Sequence, residues 1–203
     1  MARTPDPDLE DRILDAARRL WKKGEGGESL TMRAVARAAG TNTPAVYRRF
    51  NRREEILQAL IRQIKQEVYQ QIEAAPSAEE ACERYVDFGL HNPHEYELYY
   101  LHEHEVFAPD GPVNGGPGNG SSATKPVRRR RPSEELMKVK LAQQLGGESE
   151  DYSRLTLALW AVLHGTVMLL IRKTIPPHFE PEMRSVCRAS VKALLHGEAR
   201  LRG

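Results

Sequence analysis

Apolar positions recur along most of this chain with helical spacing. Leu9, Ile13, Ala16, Ala17 and Leu20 mark a first amphipathic helix, capped by Asp8 and closing near Gly24 to Gly27. A shorter pattern follows in Val35, Ala36 and Ala39, with Thr31 as N-cap and Gly40 as stop. Asn42 then caps a third, short helix with Pro44 in its first turn, where a missing N–H costs little, and with Val46 and Phe50 four apart on the buried side. Beyond Arg53, the positions Leu57, Leu60, Ile61, Ile64, Val68 and Ile72 trace one face of a long helix up to Ala75 and Pro76.

The remainder is also helical in pattern. Ser77 and Glu80 form a capping box for a helix running to His91, and Asn92 with Pro93 opens another that extends to Ala108. Pro132 to Glu135 starts a helix with Leu136, Val139 and Leu145 apolar, ending at Gly146 and Gly147. Leu155 to Ile171 is apolar all round, and Glu182 to about Arg200 presents Met183, Val186, Cys187, Ser190, Val191, Leu194 and Leu195 on one side. The predicted fold is all-α.

Thr31 to Arg53 thus pairs two short helices across a Gly-containing turn, the pattern of a helix-turn-helix. Thr43, Pro44, Ala45 and Arg48 point away from the Val46 and Phe50 stripe, where a recognition helix carries its base-reading groups. The segment holds six arginines, at positions 33, 37, 48, 49, 52 and 53, and no acid. Such a surface attracts phosphate.

These residues resemble the TetR/AcrR family of transcriptional regulators, in which the recognition helix ends in a Tyr-x-x-Phe-like signature followed by a basic residue and a long helix. Here the signature is Tyr47-Arg48-Arg49-Phe50, then Arg53 and Glu54-Glu55-Ile56-Leu57. Thr41, Arg49 and Arg53 depart from the residues usual in the family, and two of these departures keep or add positive charge. The resemblance implies a three-helix DNA-binding domain over residues 1–55 and a helical ligand-binding and dimerisation domain over 56–203. It also implies a homodimer on a pseudo-palindromic operator, released by a small-molecule effector and most often acting as a repressor. On that basis Arg33, Thr43, Pro44, Ala45 and Arg48 are base-contact candidates, Arg48 being the natural guanine reader. Thr31, Tyr47, Arg49 and Arg53 are assigned to phosphates, which fix register without reading sequence.

Trp160, His164 and Gly165, together with the helix after Asn92-Pro93, resemble the WHG-type C-terminal domain of one branch of the same family. Trp160 and His164 are one turn apart and share a face, either as a wall for a small molecule or as a packed core pair. With Tyr85, Phe88 and Tyr99 they are the ligand-pocket candidates. The last two helices of each chain would form a four-helix dimer interface through Val167, Met183, Val186, Cys187, Val191 and Leu194.

Composition narrows the remaining possibilities. With 203 residues, 40% of them hydrophobic, and a net charge of +2, the chain can bury a sizeable core and must bind nucleic acid through local rather than overall charge. Cys82 and Cys187 match no metal or redox spacing and fit buried thiols in a reducing cytoplasm. MARTPDPDLED has no apolar signal segment, and the 17 apolar residues from Leu155 to Ile171 fall short of the roughly 20 of a membrane span. The location expected is cytoplasmic, with no membrane partner. His91, His94, Glu95, His102, Glu103, His104 and Glu105 are dense in potential ligands, but HExxH is absent and no open three-ligand set emerges. They read as a solvated charged face with a His or two lining a pocket, so neither an enzyme nor a bound cofactor is expected. Residues 109–132, Gly/Pro/Ser-rich and ending in Arg128 to Arg131, read as a flexible loop.

Overall fold

The computed structural model describes residues 6–23, 29–101 and 132–202, and no strand occurs among them. The predicted closing of the first helix near Gly24, the loop at 109–131 and the ligand-dense residues 102–105 lie outside the described residues. Nine α-helices are described: α1 (Leu9–Lys23), α2 (Met32–Ala38), α3 (Thr43–Tyr47), α4 (Arg53–Glu73), α5 (Ala78–His91), α6 (Pro93–Leu101), α7 (Pro132–Leu145), α8 (Ser153–Ile171) and α9 (Glu180–Arg202). They form two compact units. One comprises Met1–Lys65 and Asn92–Ala108, the other Gln66–His91 and Pro109–Gly203.

In the first unit, α1 packs on α2 and on α6, and α2 packs on α3. Its core is the predicted stripe of α1 (Ile13, Ala16 and Ala17), joined by Trp21, Leu30, Val35, Val46, Phe50 and the buried residues of α4 up to Ile64. Leu20 is only half-buried. Asp6 helps tie down the start of α1: its Oδ1 accepts from the Asp8 N–H at 3.1 Å and its carboxylate pairs with Arg12 at 2.9 Å. The α6 segment follows α5 in sequence yet belongs to this unit, which therefore extends beyond the expected 1–55 stretch.

In the second unit, α8 packs on α5, α7 and α9, and α9 also packs on α5. Lys140 of α7 closes the end of α4 by donating to the Glu73 and Ala75 carbonyls at 3.1 and 2.6 Å, satisfying acceptors that a helix end leaves open. Gly146 and Gly147 have φ of +81° and +77°, which is why α7 stops there. The buried side of α7 is Met137, Lys138 and Leu141, whereas Val139 is exposed, so the expected stripe is rotated. Its apolar positions are too sparse to fix a single face. Although α8 is long and apolar enough to cross a membrane, it buries Leu155, Leu159, Leu163 and Val167 within its own unit.

Candidate nucleic-acid interface

The helix-turn-helix is specified residue by residue. Thr31 sits extended at φ −102°, and its hydroxyl accepts from the Ala34 N–H at 3.1 Å, capping α2. At the other end Gly40 has φ of +66°, Thr41 donates back to the Ala36 carbonyl at 2.9 Å and Gly40 to that of Arg37 at 3.3 Å. This is a Schellman ending, and glycine supplies the left-handed residue it requires. Two residues on, the Asn42 side chain accepts from the Ala45 N–H at 2.9 Å and starts α3, with Pro44 in the first turn. Val46 and Phe50 anchor α3 in the core.

The outward face carries most of the expected contacts. Pro44, Tyr47, Arg48 and Arg49 are exposed and Thr43 is half-buried; Arg33 and Thr31 are exposed at the start of α2. With its oxygen accepting from Ala34, the Thr31 hydroxyl hydrogen is available for a phosphate. Arg49 spends one N–H on the Asp6 carbonyl at 3.0 Å and keeps others. Arg53 is half-buried at the first turn of α4, its Nε buried and without a hydrogen-bond partner. Ala45, expected to point outward, is only 5% exposed and faces the core. In so short a helix the buried arc spans at least 100°, which takes in Ala45 beside Val46.

Sequence reasoning missed Glu95. Read as part of a solvated charged face, it is instead 1% exposed in α6, and its Oε1 accepts from Arg18 Nε at 2.7 Å and Lys22 Nζ at 2.9 Å. Its neighbours His91 and His94 are exposed, as expected of that face. Only the spacing of Arg18 and Lys22 on α1 could have hinted that an acid was wanted nearby. Among the described residues no three His, Cys, Asp or Glu side chains gather as metal ligands.

The pocket candidates divide between the units. Tyr99 lies in the first, buried, with the Tyr100 ring 4.3 Å away and Lys65 Nζ 5.7 Å from its ring centre. Tyr85, Phe88, Trp160 and His164 lie in the second, where the Trp160 and His164 rings stack at 5.2 Å, as one-turn spacing predicted. A groove in that unit lies elsewhere, between α5 and α9. Its floor is Cys82, Val86, Leu163, Cys187 and Val191, with acids on the α5 rim and bases on the α9 rim. Asp87 and Arg184 pair across it, which raises the already high pKa of the arginine. Burial, then the neighbouring Cys187, Glu79 and Glu83, pushes the Cys82 thiol up to about 12, so it is an unreactive thiol at neutral pH.

The expected dimer residues also divide. Val167, Cys187 and Val191 are buried within their own chain and are not available to a second copy. They belong to the stripe with which α8 and α9 pack on each other and on α5. Met183 and Leu194 are half-buried, while Val186 is 53% exposed, as are Leu157 (45%) and Leu169 (36%) on α8.

Comparison with known proteins agrees with this arrangement. Residues 13–60 match the model of bacterial regulatory proteins of the tetR family, and residues 78–195 match the tetracyclin repressor-like C-terminal domain. No curated protein matches the chain. Among solved structures, a TetR-family member from Streptomyces coelicolor A3 is similar with a TM-score of 0.61 at 21% identity, covering 91% of this chain and 98% of that one. A protein of unknown function from Rhodococcus sp. RHA1 is similar with a TM-score of 0.67 at 22% identity, covering 97% and 98%. At such identities the likeness is one of fold. With both family models matched over most of its length, the chain belongs to the TetR family of DNA-binding transcriptional regulators, its C-terminal domain being of the WHG type.

Proposed function

We propose that this protein is a cytoplasmic repressor that binds a pseudo-palindromic operator as a homodimer and leaves it when a small molecule binds the C-terminal domain. The observation that carries this is the outward face of α3, where Pro44 and Arg48 are exposed and Thr43 half-exposed within a surface of exposed arginines. Arg48 reads a base edge, as does Arg33 at the start of the preceding helix by its position in the family pattern; Thr31, Tyr47, Arg49 and Arg53 hold phosphates. A symmetric dimer sets two such faces one helical turn of DNA apart. Leu157, Leu169, Met183, Val186 and Leu194 supply the apolar surface that a second copy covers. The effector binds in the second unit near Trp160, His164, Tyr85 and Phe88, and acts by favouring a dimer whose recognition helices are wrongly spaced.

Selection of random-sequence duplex DNA on the purified protein, followed by binding across salt concentrations, tests this. An inverted repeat bound far more tightly than bulk DNA is expected. Salt-sensitive binding without any consensus would reduce the helix-turn-helix to a platform of charge.

A further inference from the structure

The face of α1 that meets α6 is made by Arg18, Trp21 and Lys22, which share one side of the helix. All three end on the first turn of α6. Arg18 Nε and Lys22 Nζ both donate to Glu95 Oε1, at 2.7 and 2.9 Å, and Trp21 Nε1 donates to the His94 carbonyl at 2.8 Å. Glu95 is buried, its Oε2 has no hydrogen-bond partner among the described residues, and Trp21 is buried beside it. A carboxylate in such a position is stable only while its cations stay in place, so the geometry tolerates little displacement of α1 against α6.

Elsewhere α1 braces the helix-turn-helix. Ile13, Ala16 and Ala17 are fully buried where α1 packs on α2, and Arg19 Nη2 lies 3.4 Å from the carbonyl of Ala38, the last residue of α2. That carbonyl immediately precedes the Gly40 turn, which fixes the angle between α2 and α3. A continuous path of contacts therefore runs from Glu95 through α1 to the turn that presents the recognition helix.

We infer that Glu95 is a positioning residue for DNA recognition: from more than forty residues beyond the helix-turn-helix, it clamps α1 through Arg18 and Lys22 and so holds α3 at its reading angle. It touches no DNA. Its role is to make the presentation of α3 depend on α6, so that the DNA-reading body includes a segment lying after α5 in sequence. Specific recognition needs that angle, whereas phosphate attraction tolerates its loss.

Glu95→Gln keeps the shape of the side chain and removes its charge. Lys22→Met, at a half-exposed position, removes one of the two cations and is the milder variant. Hydrogen exchange on the full-length protein is expected to quicken in α1, α2 and α3 of both variants and to stay unchanged in α7, α8 and α9. Affinity for the selected inverted repeat should fall about tenfold in Glu95→Gln, with binding to random duplex and its salt slope unaltered. Combined, the two substitutions should cost less than the sum of their separate effects.

Exchange that quickens in α6 alone would overturn the inference, and so would uniform loosening of all helices with an equal fall for every duplex. The affinity readout rests on the operator binding proposed above. If the unaltered protein selects no repeat, that proposal fails by itself, and hydrogen exchange in α2 and α3 decides the clamp independently.

Discussion

Arg48 and Arg53 carry the same charge but stand in different surroundings, and the difference separates reading from holding. Arg48 ends the recognition helix and is exposed; Arg53 is half-buried at the first turn of α4, where the N-terminal end of the helix dipole adds to its positive charge. Arg48→Ala is expected to relax base preference at one operator position, costing about 1–3 kcal/mol there. Arg53→Ala should weaken all sequences alike and flatten the salt slope by about one unit. Identical behaviour of the two in a salt-dependent competition assay would void the assignment. Asn42 acts on folding rather than on DNA. Its side chain holds the Ala45 N–H at 2.9 Å at the head of a helix of only five residues. Asn42→Ala should therefore cost about 1 kcal/mol in denaturant unfolding of the first unit, and Asn42→Ser, which retains a capping oxygen, should restore most of it.

At the scale of elements, the links between helices respond to conditions as well as to substitution. The start of α4 is tied by Glu55, which accepts from the Asn51 backbone N–H at 2.8 Å and from its side-chain amide at 3.2 Å. These bonds favour the charged carboxylate and hold its pKa below the ordinary value of 4.5, Arg52 adding to them. A depressed pKa means that the stabilisation is present above that value and is lost as pH falls through the lower, folded one. Glu55→Gln resembles the protonated side chain, so the gap in stability between it and the unaltered protein should be open at pH 6 and should close below about pH 4.5. A gap that does not change with pH would show that the carboxylate's charge is not what ties Asn51.

The same scale explains what could be read in advance. Caps and turns are local chemistry: Thr31, Gly40, Asn42 and Pro44 each act on a backbone group within a few residues, so the helix-turn-helix was legible before any coordinates. Burial is not local. The buried position of Ala45 is not legible in sequence, because a five-residue helix has too few positions to show where its buried arc ends. Nor does sequence show that Glu95 is buried, since its partners lie 73 and 77 residues earlier. The groove between α5 and α9 leaves no mark in the sequence for a related reason. Acids at 79, 83 and 87 and bases at 184, 188 and 192 lie on helices far apart in sequence, so nothing local shows that they rim one groove.

For the whole molecule, the question left by the sequence was which side of the last helices serves the chain itself and which serves a second copy. Two apolar stripes run along α9. Cys187, Val191 and Leu195 are spaced by four and buried in the chain's own core, whereas Val186 and, less so, Met183 and Leu194 remain accessible. Both stripes satisfy helical periodicity, so sequence does not divide them: Cys187 and Val191, expected at the interface, lie on the buried stripe, and Val167 of α8 is buried as well. On α8, Leu157 and Leu169 lie outside the face that the helix buries within its own chain. Such leucines would remain wet in a monomer. If they and Val186 form the centre of a symmetric interface, a charge placed there meets its own copy across the twofold axis, unpaired and desolvated. Val186→Glu should then shift sedimentation from dimer to monomer. It should also lower affinity for a full inverted repeat far more than for a single half-site, since only the former uses both recognition helices at once. Because Val186 is already half-exposed, the fold of each chain should survive, as circular dichroism would show. A variant that remained dimeric with unchanged operator affinity would move the interface away from this face.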